Sequence, residues 1–181
     1  MVHLSRLRAS AFIACLCVFG VAATQAQVPV PTIATYAGGG LPTAGPATAT
    51  GISLLGGIAR DPAGNLYFSS FTGTILKMDT AGNLSVFAGT GPCCFSGDGG
   101  PATSAQLSIM PSIPVPPVKT DPAGNVYFID YAAVVRRIDH GTGIITTVAG
   151  TPNSTGFSGA GGSATSAQIS PAGLALNAAG D

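Results

Sequence analysis

Glutamate does not occur in this 181-residue chain; all seven acids are aspartates, at 61, 79, 98, 121, 130, 139 and 181. Glutamate's straight side chain loses little freedom in a helix, so helix-rich proteins use it freely. Its absence argues for an all-β chain. Charge is scarce too, at 8% of residues against 46% hydrophobic, which excludes a chain kept disordered by its own solvation. Histidine occurs twice, and His3 belongs to an N-terminal segment expected to be removed. His140 then remains alone in a turn, where a histidine is usually solvated. A zinc site or a Ser/His/Asp set needs partners that the chain does not visibly supply.

What the chain has is glycine and proline, 26 and 14 residues, with scattered Val, Ile, Tyr and Phe. That composition favours short strands and tight turns. The N-terminus reads as a secretory signal over 1–26. Arg6 and Arg8 precede the apolar run ASAFIACLCVFGVAA, and TQA at 24–26 offers small residues for cleavage. The apolar run is shorter than the ~20 residues a membrane span requires. The expected mature chain, 27–181, carries five basic residues and seven acids, a net charge of −2. That balance is no footprint for nucleic acid or for an anionic membrane surface. The expected localisation is extracytoplasmic: secreted, periplasmic or at the cell surface.

The chain repeats itself. FSGDGGPATSAQLS at 95–108 returns as FSGAGGSATSAQIS at 157–170. DPAGNLYF begins at Asp61 and DPAGNVYF at Asp121, and NAAGD begins at Asn177. The expected units are about 32–83, 84–144 and a truncated 145–181. Within a unit, DPAGN is a turn: proline pre-sets φ, Gly64 or Gly124 accepts positive φ, and Asp61 with Asn65, or Asp121 with Asn125, can bond the nearby backbone. Strands are predicted at GGIAR, LYFSS, TILKMD and LSVFAG in one unit, and at PVKT, VYFID, VVRRID and IITTVAG in the next. Pro111, Pro114, Pro116 and Pro117 cannot donate to a ladder, so the first strand of the second unit should be short. Four short antiparallel strands followed by a connection is the pattern of a β-propeller blade. Such a sheet cannot bury both faces alone, but stacking against its neighbours does so.

The stretches GGIARDPAGNLYFSSFTGTILKMDTAG and VKTDPAGNVYFIDYAAVVRRIDHGTG resemble NHL repeats. The connecting TVAGT and FSGDGGPATSAQL resemble the long-repeat version of bacterial secreted proteins and of the teneurin propeller. The resemblance covers 32–181 and implies a propeller, usually of six blades. The first unit departs from it by lacking FSGDGG, and the third stops at Asp181. About two and a half blades do not close such a ring. The chain is therefore expected to be either a fragment of a longer reading frame or a relic, its open edges covered by remaining blades or by self-association.

The repeated linker itself reads as a connection. Asp98 could be a calcium ligand, but Ala160 stands at its place in the second copy, and one carboxylate does not make a calcium loop. No Gly-Lys-Ser/Thr follows, so it is not a phosphate loop. PATSAQL is expected to make one helical turn capped by Thr103 or Ser104, with Phe95 and Leu107 tucked under the next blade. Arg136 and Arg137 point to opposite faces of a strand, one expected to be salt-bridged and the other solvated. Tyr67 and Tyr127 read as packing residues. Cys93 and Cys94 could form a vicinal disulfide in an oxidising compartment. Asn83-Leu-Ser85 and Asn153-Ser-Thr155 match the glycosylation sequon.

Because Asp61, Asp121, Asp79, Asp139 and Asp130 are read as recurring at matched positions, they are expected to be turn residues rather than a catalytic set, which is normally assembled once. No catalytic residue, cofactor or metal site is expected. The expected function is that of an exported binding and interaction scaffold for an unknown protein or glycan. The resemblance also leaves two alternatives. One is part of a calcium-dependent lactonase-like or streptogramin-lyase-like enzyme with its ligands in further blades. The other is the extracellular sensor of a membrane kinase.

Overall fold

The computed structural model describes residues 45–47, 55–92, 94–109 and 117–180. The chain divides into two compact units, 1–34 and 35–181, and every described residue lies in the second. The expected signal segment, Cys93 and Asp181 lie outside the described residues.

The described chain is all-β. Its strands are β1 (Gly45–Pro46), β2 (Leu55–Arg60), β3 (Leu66–Ser70), β4 (Thr74–Met78), β5 (Asn83–Ala88), β6 (Val118–Thr120), β7 (Val126–Asp130), β8 (Val134–Ile138) and β9 (Ile145–Ala149). They form two antiparallel sheets, ordered β1-β5-β4-β3-β2 and β6-β7-β8-β9. Consecutive strands pair with each other through tight turns, as in propeller blades. Gly64 at φ +96° and Gly124 at φ +86° make the positive-φ turn between the first two strands of each sheet.

The two sheets share one register. Phe68 lies opposite Leu76 in the first, and Phe128 lies opposite Arg136 in the second. Each has a register shift one residue before that position, between Ile75 and Leu76 and between Val135 and Arg136. As the prolines predict, β6 has three residues where β2 has six. The sheets meet along β2 and β6, where Thr120 Oγ1 donates to the Arg60 carbonyl at 2.7 Å. One core runs through both sheets and the linker between them. It includes Tyr67, Ile75, Leu107, Val126, Phe128 and Ile145, all fully buried. Burying each of the larger apolar side chains contributes roughly 1.5–3 kcal/mol, which is why neither sheet is left with a bare face between them.

The linker does more than connect. Residues 99–102 lie along the outer strand of the sheet that follows them. Gly99 N–H donates to the Ile145 carbonyl at 2.8 Å, Ile145 N–H to Gly100 at 3.0 Å, and Ala102 N–H to Gly143 at 2.9 Å. The first sheet has the same arrangement. Gly45 and Pro46 pair with Leu84 and Asn83, and Ala47 N–H donates to the Gly82 carbonyl at 2.8 Å. The repeated Gly-Pro-Ala thus covers the outer edge of each blade, a strand edge that would otherwise invite association. It makes the first sheet five-stranded.

PATSAQL does form a single turn, a 3₁₀ helix at Ala102–Ser104. Its cap is not Thr103 or Ser104, as the composition suggests. The N-cap is Pro101, and no side chain bonds to the turn. Three residues expose too few orphan N–H groups for a hydroxyl cap to matter, and Ala102 N–H is already held by Gly143.

Candidate functional site

The polar side chains fall into three groupings. The first is the pair of DPAGN turns. Asn65 N–H donates to Asp61 Oδ1 at 2.9 Å, and Asn65 Nδ2 to Asp61 Oδ2 at 2.7 Å. The Tyr67 hydroxyl reaches the same oxygen at 3.1 Å. Asp121 repeats this with Asn125 at 2.8 and 2.7 Å and with Tyr127 at 3.2 Å. Burial pushes both carboxyls up, but the bonds from asparagine, tyrosine and backbone outweigh it, so both sit below the usual aspartate range. The Tyr67 hydroxyl is raised by burial and by the Asp61 carboxylate that it serves. The exposed turns are built likewise. Asp79 accepts from Asn83 and Ala81. Asp139 accepts from Gly141, Thr142 and Arg137. His140 lies over Gly124, and its backbone N–H donates to Asn125 Oδ1.

The second grouping centres on Arg136, which is fully buried. Its Nη2 donates to Asp98 Oδ1 at 2.7 Å and to the Ser96 carbonyl at 2.9 Å. Its Nε reaches the same Asp98 oxygen at 3.2 Å. Nη1 donates to Asp130 Oδ2 at 3.3 Å and to the Gln106 carbonyl at 3.1 Å. The guanidinium carbon lies 4.5 Å from the centre of the Phe95 ring, a cation–π contact. Thr147 N–H occupies the other Asp98 oxygen at 3.1 Å. Asp98 therefore ties the linker to β8 and β9. Desolvation raises the Asp130 carboxyl despite Arg136 beside it and the bonds from Ala132 and Ser108.

The expectation that one of the two adjacent arginines is salt-bridged and the other solvated needs correcting. They do face opposite ways, but Arg137, one-third exposed, pairs with Asp139 at 2.7 Å. Asp139 directly follows β8 and pairs back to it, so both arginines are paired. Phe95 and Leu107 behave differently from each other. Leu107 is fully buried, while Phe95 keeps partial exposure beneath Arg136.

The third grouping was not legible in the sequence. A cavity of about 620 Å³ opens where β2, β6 and residues 174–177 come together, lined by Arg60, Asp61, Lys119, Asp121, Leu174 and Asn177 among others. Arg60 and Lys119 are exposed. Of the other cations among the described residues, Lys77 lies 5.8 Å from the centre of the Tyr67 ring, and Arg136 and Arg137 are paired. Arg60 and Lys119 have no ion pair among the described residues. The aspartates of the cavity wall turn their oxygens into their own turns, and the Arg60 guanidinium lies over Gly64.

Among the described residues, no three His, Cys or Asp side chains come together as a metal site. Cys94 is disulfide-bonded, with a partner outside the described residues. No helix among the described residues is long and apolar enough to cross a membrane.

No protein-family model matches the chain. It is 34% identical over 108 residues to teneurin-1 of Gallus gallus, an alignment covering 51% of this chain and 4% of that protein. The chain thus spans a small fraction of that relative. A solved structure, a structural-genomics protein of unknown function from Bacteroides thetaiotaomicron, superposes with a TM-score of 0.48 at 23% identity. That superposition covers 59% of this chain and 25% of the other.

Proposed function

We propose that the chain is an exported, non-catalytic binding module built from NHL-type propeller blades. One observation carries this reading: each of the six described aspartates is spent on structure. Asp61, Asp79, Asp121 and Asp139 hold their own turns, and Asp98 and Asp130 hold Arg136. A hydrolytic or lyase centre needs a carboxylate free to move a proton or hold a metal. What stays uncommitted is the cavity with Arg60 and Lys119 at its wall. A cavity with two exposed cations at its wall suits recognition of acidic groups on an extracellular protein or glycan. Export is supported by the signal-like N-terminus.

The test is binding of the purified mature chain to an array of uronate-bearing and sulfated glycans and to acidic peptides. Salt-sensitive binding that falls in the Arg60→Ser, Lys119→Ser double variant is expected. Lactone hydrolysis or another turnover that requires added calcium would overturn the reading.

A further inference from the structure

We propose that the second linker, 157–170, is a preformed docking surface for the outer strand of a further blade of this repeat type. That blade carries an aliphatic residue where Arg136 stands and a neutral one where Asp130 stands. The proposal does not depend on the cavity or its ligand.

The two linkers have the same backbone. Gly97 and Gly159 have φ of 91° and 84°, and Gly99 and Gly161 have 80° and 82°. Ser96 pairs with Gln106, and Ser158 with Gln168. The turn at Ala102–Ser104 returns at Ala164–Ser166. Each linker is fastened to the sheet before it in the same way, Gly89 N–H to Ala102 at 3.0 Å and Gly150 N–H to Ala164 at 2.9 Å. The second linker thus has the same shape as the first, and among the described residues no blade lies against its far side.

Only the cover differs. Phe95 lies under Arg136, and Ala102 and Ala105 are buried. In the second linker Phe157 is 97% exposed, Ala164 is exposed and Ala167 is half-buried. The main-chain groups of the first linker that bind β9 and Gly143 just before it are the Gly99 and Ala102 N–H and the Gly100 carbonyl. Their counterparts, the Gly161 and Ala164 N–H and the Gly162 carbonyl, meet no such strand among the described residues. The interface already formed by 95–108 thus specifies what would cover 157–170: the outer strand of a four-stranded blade in the register of β9.

Among the described residues, a second copy of this chain does not offer that strand. β5 is already paired with β1, and Ile145 with Gly99 and Gly100.

The identity of the blade follows from the residue that replaces Asp98. A buried arginine opposite Ala160 would lose its closest counter-ion, and a buried charge without its partner is strongly unfavourable. The first blade shows the matching alternative. Its preceding segment at 45–53 lacks the FSGDGG stretch, and the register positions of Arg136 and Asp130 hold Leu76 and Ser70, both buried. An acid in the linker goes with arginine and aspartate in the blade; a linker without it goes with leucine and serine.

The experiment extends the full chain after Gly180 with a copy of residues 125–150. The extension is made once as it stands and once with Arg136→Leu and Asp130→Ser in the copy. Each is combined with Ala160 or Ala160→Asp. Hydrogen exchange at the Gly161 and Ala164 amides and the urea midpoint are read. With Ala160, the Leu/Ser copy should slow exchange at both amides by at least about tenfold and have the higher midpoint. Ala160→Asp should reverse the order of the two copies. Amides that exchange as in the unextended chain overturn the docking surface, whether the copy is unfolded or folded elsewhere. An order of stability that ignores residue 160 overturns the pairing rule. The same rule is checked in the chain as it exists. Adding Arg136→Leu and Asp130→Ser to Asp98→Ala should restore most of the midpoint that Asp98→Ala loses, and a further fall would refute it.

Discussion

Arg136 donates to Asp98 from thirty-eight residues further along the chain, at 2.7 Å, with its side chain fully buried and the aspartate one-third exposed. This contact joins the linker of one repeat to the blade of the next. The same guanidinium holds Asp130 and two carbonyls, so the planar fork, and not merely the charge, is in use.

Arg136→Lys should therefore destabilise the fold despite keeping the charge. A lysine cannot reach Asp98, Asp130, Ser96 and Gln106 together, and it leaves buried acceptors unserved. A loss of about 2–4 kcal/mol in urea unfolding is expected. A change within experimental error would mean that the charge alone suffices.

The turn aspartates should separate by burial. Asp61 and Asp121 are buried and bond to buried or half-buried asparagine and tyrosine partners, whereas Asp79 and Asp139 bond at the surface. Replacing Asp121 by Ala should cost about 2–3 kcal/mol, and replacing Asp79 clearly less, because water replaces the lost bonds only at the exposed turn. Equal losses by chemical denaturation would contradict this.

Glycines should divide in the same manner. Gly150 has φ +92°, and a Cβ there would run into the Ala133 carbonyl; at Gly143, φ +70°, a Cβ would meet nothing. Gly143→Ala should cost about 1 kcal/mol from backbone strain alone. Gly150→Ala should cost several times more, since backbone must move. Thermal unfolding of the two variants checks the order.

Acid should unfold the protein. Asp61, Asp79, Asp121 and Asp139 have folded-state pKa values below their unfolded ones. They contribute stability that is fully present above the unfolded value of about 3.9 and is lost as pH falls through the folded values. Asp130, raised by burial, acts in the opposite sense: stability falls as pH rises from the unfolded value through its folded one. The urea midpoint should thus decline below about pH 4, and Asp130→Asn should steepen that decline by removing the opposing group. An unchanged midpoint down to pH 2 would sink both statements.

The strands, turns and blades were readable from the chain because their causes are local. Alternating β-branched and aromatic residues place LYFSS and VYFID in strands at the predicted bounds. Asp, Pro, Gly and Asn within five positions close the turns between them. Repetition then implies that the sheets stack, since one sheet cannot bury two faces. Tertiary structure alone decided that Gly-Pro-Ala runs along the outer edge of the following blade, that Asp98 meets Arg136, and that Arg60 and Lys119 share a cavity. Those relationships join residues tens of positions apart. They depend on how one twisted sheet settles on the next, and no local pattern in the sequence encodes that distance.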